Sequence, residues 1–272
     1  MERRLDVDHL RVWACDTSSE MGAAAARTVA ERLRLLLERQ EDVRAVFAAA
    51  ASQESFLDAL ALEPGIDWAR VHVLQLDEYV GLGFADPRSL SRWLAKHVTE
   101  RFGIGRASYM RGDAPSLTDE CDRFEAEVND RPIDLGLIGI GQNGHLAYND
   151  PHVADFSDPR SVKVVQIDDT SRAQAVRDAA FPTLAEVPRE AFTLTMSVLL
   201  RIRILSIVVP GSHKATAIAD TLLGPISSAC PASSLRQHGD ATLYVDADSF
   251  RQAGARLAMP EAGAPTAMTG TL

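Results

Sequence analysis

The sequence predicts an α/β layered fold with a mostly parallel sheet. Three observations carry this reading. Apolar runs of strand length recur at residues 133–140 and 202–209, bounded by glycine or proline, and read as strands buried on both faces. Segments of helical period lie between such runs. The two kinds of segment alternate along 272 residues, which is the pattern of a parallel sheet covered by helices.

Residues 10–15 read as a first strand. Thr17 and Glu20 then have capping-box spacing. They open a helix to about residue 39, with Ala26, Val29, Ala30, Leu33 and Leu36 or Leu37 on one face. Residues 43–47 form a second strand and 48–52 a turn of small residues. A helix over 53–62 ends at Pro64 and Gly65. The third strand, 71–76, runs into Asp77, Glu78 and Tyr79. A loop over 81–88 leads to a helix over 89–102, a loop over 103–115 and a helix over 118–129. The strand at 133–140 follows. Beyond Pro151 the pattern gives a strand at 162–167, a helix at 170–180 and a short strand at 192–195. The apolar strand 202–209 stops at Pro210, a helix covers 214–223, and 243–245 is a last short strand. No linker or internal repeat divides the chain, so one domain is expected over 1–258. Residues 259–272, rich in Ala, Gly, Pro and Thr, are expected to be a disordered tail.

Composition bounds the function. Hydrophobic residues at 46% and charged residues at 24% are ordinary for a soluble globular protein. A net charge of −10 without basic tracts argues against nucleic-acid and anionic-membrane partners. A small anionic substrate stays open, because a local site can oppose the global sign. Cys15, Cys121 and Cys230 are odd in number and widely spaced, which predicts no disulfide framework and a reducing cytoplasm. No apolar stretch reaches membrane-spanning length, and the first residues carry no apolar core of a signal peptide.

Polar residues at strand ends are the candidates for chemistry, since ligands of open α/β sheets bind outside the carboxyl ends of strands. Asp77 and Glu78 read as a carboxylate base with a raised pKa, or as loop carboxylates capping the next turn. His145, behind the turn Gly141–Gln142–Asn143–Gly144, reads as an acid/base oriented by Asp150, or as a histidine bonded to loop backbone. Asn149 and Asp150 before Pro151 also suit an ordinary turn. Gly139, Gly141 and Gly144 match a G-x-G-x-x-G spacing, but Asn149, Asp150 and Pro151 interrupt the helix a dinucleotide site needs, so no cofactor is expected. Gly211, Ser212, His213 and Lys214 form a phosphate cradle or a helix cap with a solvated lysine. Arg172 and Arg177 offer a fork to the same anion. Ser52 or Ser55 reads as a phosphate contact or an N-cap. The histidines show no metal-site spacing, so no metal is expected either.

Two stretches resemble a known family. Leu76-Asp77-Glu78-Tyr79-Val80-Gly81-Leu82 is similar to the D-E-Y-V-G-L signature of glucosamine-6-phosphate deaminases. Gly139-Ile140-Gly141-Gln142-Asn143-Gly144-His145-Leu146-Ala147-Tyr148-Asn149-Asp150-Pro151 is similar to their G-x-G-x-D-G-H-x-A-F-N-E-P signature. Shorter matches at Gly112-Asp113-Ala114-Pro115, Glu120-Cys121 and Pro210-Gly211-Ser212-His213-Lys214 extend the resemblance over most of 10–250. It implies a three-layer Rossmann-like fold and an aldose–ketose isomerisation of an amino-sugar 6-phosphate with loss of ammonia. Asp77 would move the proton from C2 to C1, and His145 would assist ring opening. Asp150, where the family has glutamate, would orient and charge-balance the imidazole. Lys214 and Arg177 would bind phosphate, with Ser52, Gly144 and Glu78 completing the substrate contacts. The expected partner is a small sugar phosphate, with no cofactor or metal, and a homo-oligomer is compatible.

Three departures shape further expectations. Asn143 stands where the family has aspartate, which removes a negative charge beside His145 and predicts a less stabilised imidazolium. Asp150 is one methylene shorter than glutamate, so a water bridge to His145 is one expectation. Ala50, Ala51, Ser52, Gln53 and Glu54 replace a G-G-T-P phosphate loop, and Glu54 would repel a phosphate unless it points away. Two alternatives follow: a 6-phosphogluconolactonase-type hydrolase of the same superfamily, and a non-catalytic sugar-phosphate sensor.

Overall fold

The computed structural model describes residues 3–258; the expected disordered tail at 259–272 lies outside the described residues. In chain order the strands are β1 (Arg3–Val7), β2 (Leu10–Ala14), β3 (Val43–Phe47), β4 (Val71–Gln75), β5 (Asp77–Tyr79), β6 (Arg106–Ser108), β7 (Leu135–Ile138), β8 (Val162–Gln166), β9 (Glu190–Leu194), β10 (Ile204–Val209) and β11 (Ala241–Val245). The helices are α1 (Ser18–Arg39), α2 (Glu54–Leu60), α3 (Leu90–Leu94), α4 (Glu100–Phe102), α5 (Leu117–Asn129), α6 (Asp169–Arg177), α7 (Met196–Leu199), α8 (Ala215–Leu223) and α9 (Ala247–Ala258).

An eight-stranded sheet runs β1-β2-β11-β10-β7-β3-β4-β6, with every pair parallel except the β1–β2 hairpin. Its central strands β3, β4 and β11 are buried at every position, which requires cover on both faces. α1 and α2 pack on one face, through Val29, Leu33, Phe56 and Leu57 against Val43, Val73 and Leu137. α5, α8 and α9 pack on the other, through Phe124, Ile218 and Phe250 against Leu74, Ile207 and Leu243. The fold is a mostly parallel α/β sheet between helices.

The capping box forms as its spacing predicts. Glu20 N–H donates to Thr17 Oγ1 at 3.1 Å and Thr17 N–H to Glu20 Oε2 at 3.2 Å. Other expectations need correction. The strand β1 was not foreseen, because Arg3, Arg4 and Asp6 give it an edge strand's charge rather than a core strand's pattern. The chain does not simply leave β4 at Asp77. It steps into a second, antiparallel sheet, β5-β9-β8. The expected loop 103–115 contains β6, and α7 and α9 lie where no helix was predicted. Nor does either serine cap α2: its N-cap is Gln53, without a side-chain hydrogen bond.

Helix α1 lies so close to the start of α2 that Gly22 has no room for a side chain. A Cβ there would sit 2.6 Å from the Ser55 carbonyl oxygen. Gly22→Ala must push α2 off α1, and small-to-large changes in packed cores cost about 1–3 kcal/mol. Urea unfolding is expected to show that loss as a lower midpoint at unchanged slope.

Candidate active site

Strand order places the cleft. β3 and β7 are neighbours, yet the chain proceeds from β3 towards β4 and β6, and from β7 towards β10 and β11 on the other side. The loops after β3 and β7 therefore part at their carboxyl ends and leave a crevice. Ser52 comes from the first loop, Asp77 from β5, His145 from the loop after β7 and Lys214 from the turn after β10, and all four line one pocket. Asp77 and His145 also line an adjoining cavity of about 500 Å3, with Tyr79, Trp93, Tyr148 and Ser171. That volume is in the range of small-molecule sites.

Asp77 and Glu78 point to opposite sides of β5, as alternate residues of a strand must. Glu78 is fully buried. Its carboxylate accepts the N–H groups of Tyr79, Leu90 and Ser91 at 2.7–2.9 Å and the Gln75 amide at 3.0 Å. It caps the start of α3, so the expected substrate role of Glu78 is corrected: its oxygens are committed to backbone. Gln75 also holds the Asp77 carbonyl, at 2.7 Å. The Asp77 carboxylate has no hydrogen-bond donor among the described residues and is 9% exposed. Burial, with the Glu78 charge behind it, pushes its pKa up to about 8.

His145 stands on a glycine turn. Its ring lies against Gly141, where a Cβ would fall 2.1 Å from the imidazole. Gly144 adopts φ +82°. Its N–H is spent on the Gly141 carbonyl at 3.1 Å, and a Cβ would meet Cys230 Sγ at 2.6 Å. The expectation that Gly144 contacts substrate is therefore corrected: it shapes the turn and faces Cys230. No helix opens behind these glycines, since residues 141–150 form consecutive turns.

Asn143 and Asp150 lie behind His145. Asn143 Oδ1 accepts from the His145 backbone N–H at 3.1 Å and lies 2.8 Å from Nδ1; its Nδ2 donates to Asp150 Oδ1 at 2.9 Å. Asp150 is fully buried and reaches His145 Nδ1 directly at 3.0 Å, so the shorter side chain needs no water bridge. Burial alone would raise the Asp150 pKa. Hydrogen bonds from His145, Ser171 and Asn143, with the imidazole's charge, outweigh it and hold the carboxyl well below the usual range.

Lys214 is buried, not solvated. Its Nζ donates to Gln174 Oε1 at 2.9 Å, and burial lowers its pKa to about 8. Asp246 fixes the turn that delivers it, accepting the Gly211 N–H at 3.0–3.1 Å. The two arginines separate. Arg172 is buried and donates to the Leu184 and Val187 carbonyls, while Arg177 is exposed and its charge reaches Lys214. Glu54 lines the larger cavity and not the pocket that holds Lys214. Sequence reasoning missed Ser171 and Gln174, both on α6; their only signal is polarity on the buried side of a short helix.

Comparison with known proteins finds relatives in sequence and in fold. A family model described as glucosamine-6-phosphate isomerases/6-phosphogluconolactonase matches residues 16–244. A glucosamine-6-phosphate deaminase of Listeria welshimeri is 30% identical over 205 residues, 75% of this chain and 86% of that protein. One from Bacillus thuringiensis is 30% identical over 185 residues, covering 68% and 69%. The solved structure of a monomeric glucosamine-6-phosphate deaminase superposes with a TM-score of 0.81 at 28% identity, covering 89% of this chain and 99% of that one. A 6-phosphogluconolactonase from Thermotoga maritima shares the fold at 18% identity and a TM-score of 0.69, covering 86% and 98%.

The Asp77 environment has a stability signature. Its folded pKa of about 8 lies above the ordinary 3.8, so between those values the folded state holds a proton that the unfolded state has lost. Stability then falls as pH rises from about 4 to 8. Asp77→Asn removes that loss. The unfolding free energy of the variant is expected to gain on that of the wild type steadily between pH 5 and 8, by an amount on the order of a few kcal/mol. A constant difference across that range would contradict a raised Asp77 pKa.

Proposed function

The chain belongs to the glucosamine-6-phosphate isomerase/6-phosphogluconolactonase family, and from that premise we propose that it is an amino-sugar-6-phosphate deaminase. The substrate in this reading is glucosamine 6-phosphate or a related amino-hexose phosphate, and the products are a ketose 6-phosphate and ammonia. The observation that carries the proposal is a buried carboxylate, Asp77, without a hydrogen-bond donor among the described residues, lining the same pocket as His145 and Lys214.

The residues divide the chemistry between carbon and oxygen. The Nδ1 side of His145 faces Asn143 and Asp150, which leaves Nε2 for the sugar. Nε2 takes the proton of the anomeric hydroxyl and returns it to the ring oxygen, which opens the ring to the aldehyde. Asp77 then removes the proton at C2, which is acidified by the neighbouring carbonyl. Carbon acids are weak, so a carboxylate with a raised pKa is better matched to this step than an ordinary one. The resulting enolate takes the proton back at C1 while an amino proton passes to O1, which leaves a hydroxymethyl at C1 and an imine at C2. Water adds to the C2 imine and ammonia leaves, so water is the only co-reactant. Lys214 supplies the cation for the phosphate, with Ser52 as hydroxyl donor and Arg177 at the rim. Glu54 would contact other parts of the substrate. Three buried free thiols suit the cytoplasm as compartment.

Purified protein with glucosamine 6-phosphate is expected to release ammonia and ketose 6-phosphate, read by mass spectrometry. Lactone hydrolysis instead would establish the hydrolase alternative. Tight calorimetric binding without turnover of any amino- or keto-sugar phosphate would establish the sensor. Asp77→Asn should lower kcat by about 10³-fold or more while sugar-phosphate binding persists. Lys214→Ala should act mainly on KM.

The pH profile follows from two signs. Asp77 must be ionised, so kcat/KM rises through about pH 8; Lys214 must be charged, so it falls through about the same pH. A narrow bell centred near pH 8 is expected in kcat/KM. Bound phosphate holds Lys214 charged, so the alkaline limb of kcat should lie higher than that of kcat/KM. Coincident alkaline limbs would remove Lys214 from phosphate binding.

A further inference from the structure

We propose that Ser171 is a positioning residue for His145, taking up part of the work of the carboxylate that Asn143 replaces; this rests on the deaminase reading for its effect on turnover. Ser171 sits in the first turn of α6 and is buried. Its Oγ lies 2.5 Å from Asp150 Oδ1 and 2.9 Å from His145 Nδ1.

The proton positions can be assigned from groups whose roles are fixed. The His145 backbone N–H can only donate, so the Asn143 atom facing it is the carbonyl oxygen. The other end of that amide then donates to Asp150. The same Asn143 oxygen lies 2.8 Å from His145 Nδ1, so Nδ1 carries the proton. Asp150 Oδ1 is an acceptor, and the short contact from Ser171 gives it the hydroxyl proton. The lone pairs of Ser171 Oγ are left facing Nδ1–H. Three oxygens, from Asn143, Ser171 and Asp150, thus surround one N–H at 2.8–3.0 Å.

Ser171 differs from the other two in its origin. Asn143 and Asp150 belong to the turn that carries His145, whereas Ser171 comes from a separate helix. It ties the imidazole to α6, which also supplies Gln174 against Lys214. An amide at 143 carries no charge, so its oxygen holds Nδ1–H less strongly than a carboxylate would. The Ser171 hydroxyl adds a further acceptor without adding charge, and leaves Nε2 free to exchange protons with the sugar.

The test uses the full chain with ring-labelled histidine and the variants Ser171→Ala, Ser171→Thr and Ser171→Cys. In the wild type the His145 Nδ1–H is expected as a downfield proton resonance protected from solvent exchange, identified by its loss in His145→Gln. In Ser171→Ala it should move upfield and broaden, and kcat for glucosamine 6-phosphate should fall 10- to 100-fold with KM within twofold. Ser171→Thr should restore both. If Ser171→Ala does not fold, Ser171→Cys, a weaker donor, is read on the same two signals and should lie between. An unchanged resonance with kcat within twofold of wild type in Ser171→Ala, or in Ser171→Cys where the alanine variant does not fold, overturns the proposal. A wild type without turnover, whose resonance still depends on Ser171, would fail the deaminase reading and leave the positioning role standing.

Discussion

The buried carboxylate of Asp150 is the contact on which the cleft depends. Asn143 Nδ2, Ser171 Oγ, His145 Nδ1 and the Asp168 backbone N–H converge on its two oxygens at 2.5–3.0 Å. An ion at 0% exposure is tolerable only when its lone pairs are filled in this way. The donors come from two places, the glycine turn after β7 and the start of α6. Ionised Asp150 therefore fastens one to the other. The imidazole orientation, the entry into α6 and the placing of Gln174 beside Lys214 all follow from that junction.

Asp77 shows the same residue type under the opposite rule. It lies at the same end of the sheet, but no donor among the described residues reaches it, so burial drives its pKa up where Asp150 is driven down. The strand makes this possible. Because alternate side chains face opposite ways, Glu78 absorbs the free N–H groups at the start of α3 and none are left for Asp77. Two carboxylates pushed apart in this manner acquire different chemistry from environment alone. In the proposed reading the first is the base at carbon, and the second is a fixed charge behind a histidine.

Much of this was legible in the sequence, and the exceptions share a cause. The capping box at Thr17, the buried strands β7 and β10, and the strand-end positions of Asp77, His145 and Lys214 are local signals, set by period and punctuation. Glu78 was misjudged because its partners, Leu90 and Ser91, lie a loop away. Gly144 was misjudged because Cys230 is brought to it by the far end of the chain. Ser171 left only its polarity as a signal, since a serine in a first helical turn is unremarkable until Asp150 is placed against it. The small sheet β5-β9-β8 was hidden for the same reason: β5 is three residues long and exists only through β9. Pairings distant in sequence have no period to betray them.

The proposed phosphate end of the cleft opposes the charge of the rest of the chain. The chain carries a net charge of −10, yet the pocket presents Lys214, almost wholly buried. Its neighbour at Nζ is the neutral amide of Gln174, not a carboxylate. A carboxylate there would form an ion pair that an incoming phosphate must break, with the desolvated acid left behind. A neutral acceptor fixes the ammonium in direction without satisfying its charge. Under the proposed reading a phosphate dianion matches that charge, and binding energy would arise from relieving a desolvated cation rather than from exchanging partners. Under the proposed reading this also frees the pocket from needing the glycine-rich loop. Backbone N–H groups compensate a phosphate by number, whereas a buried ammonium would do so by the desolvation it has already undergone.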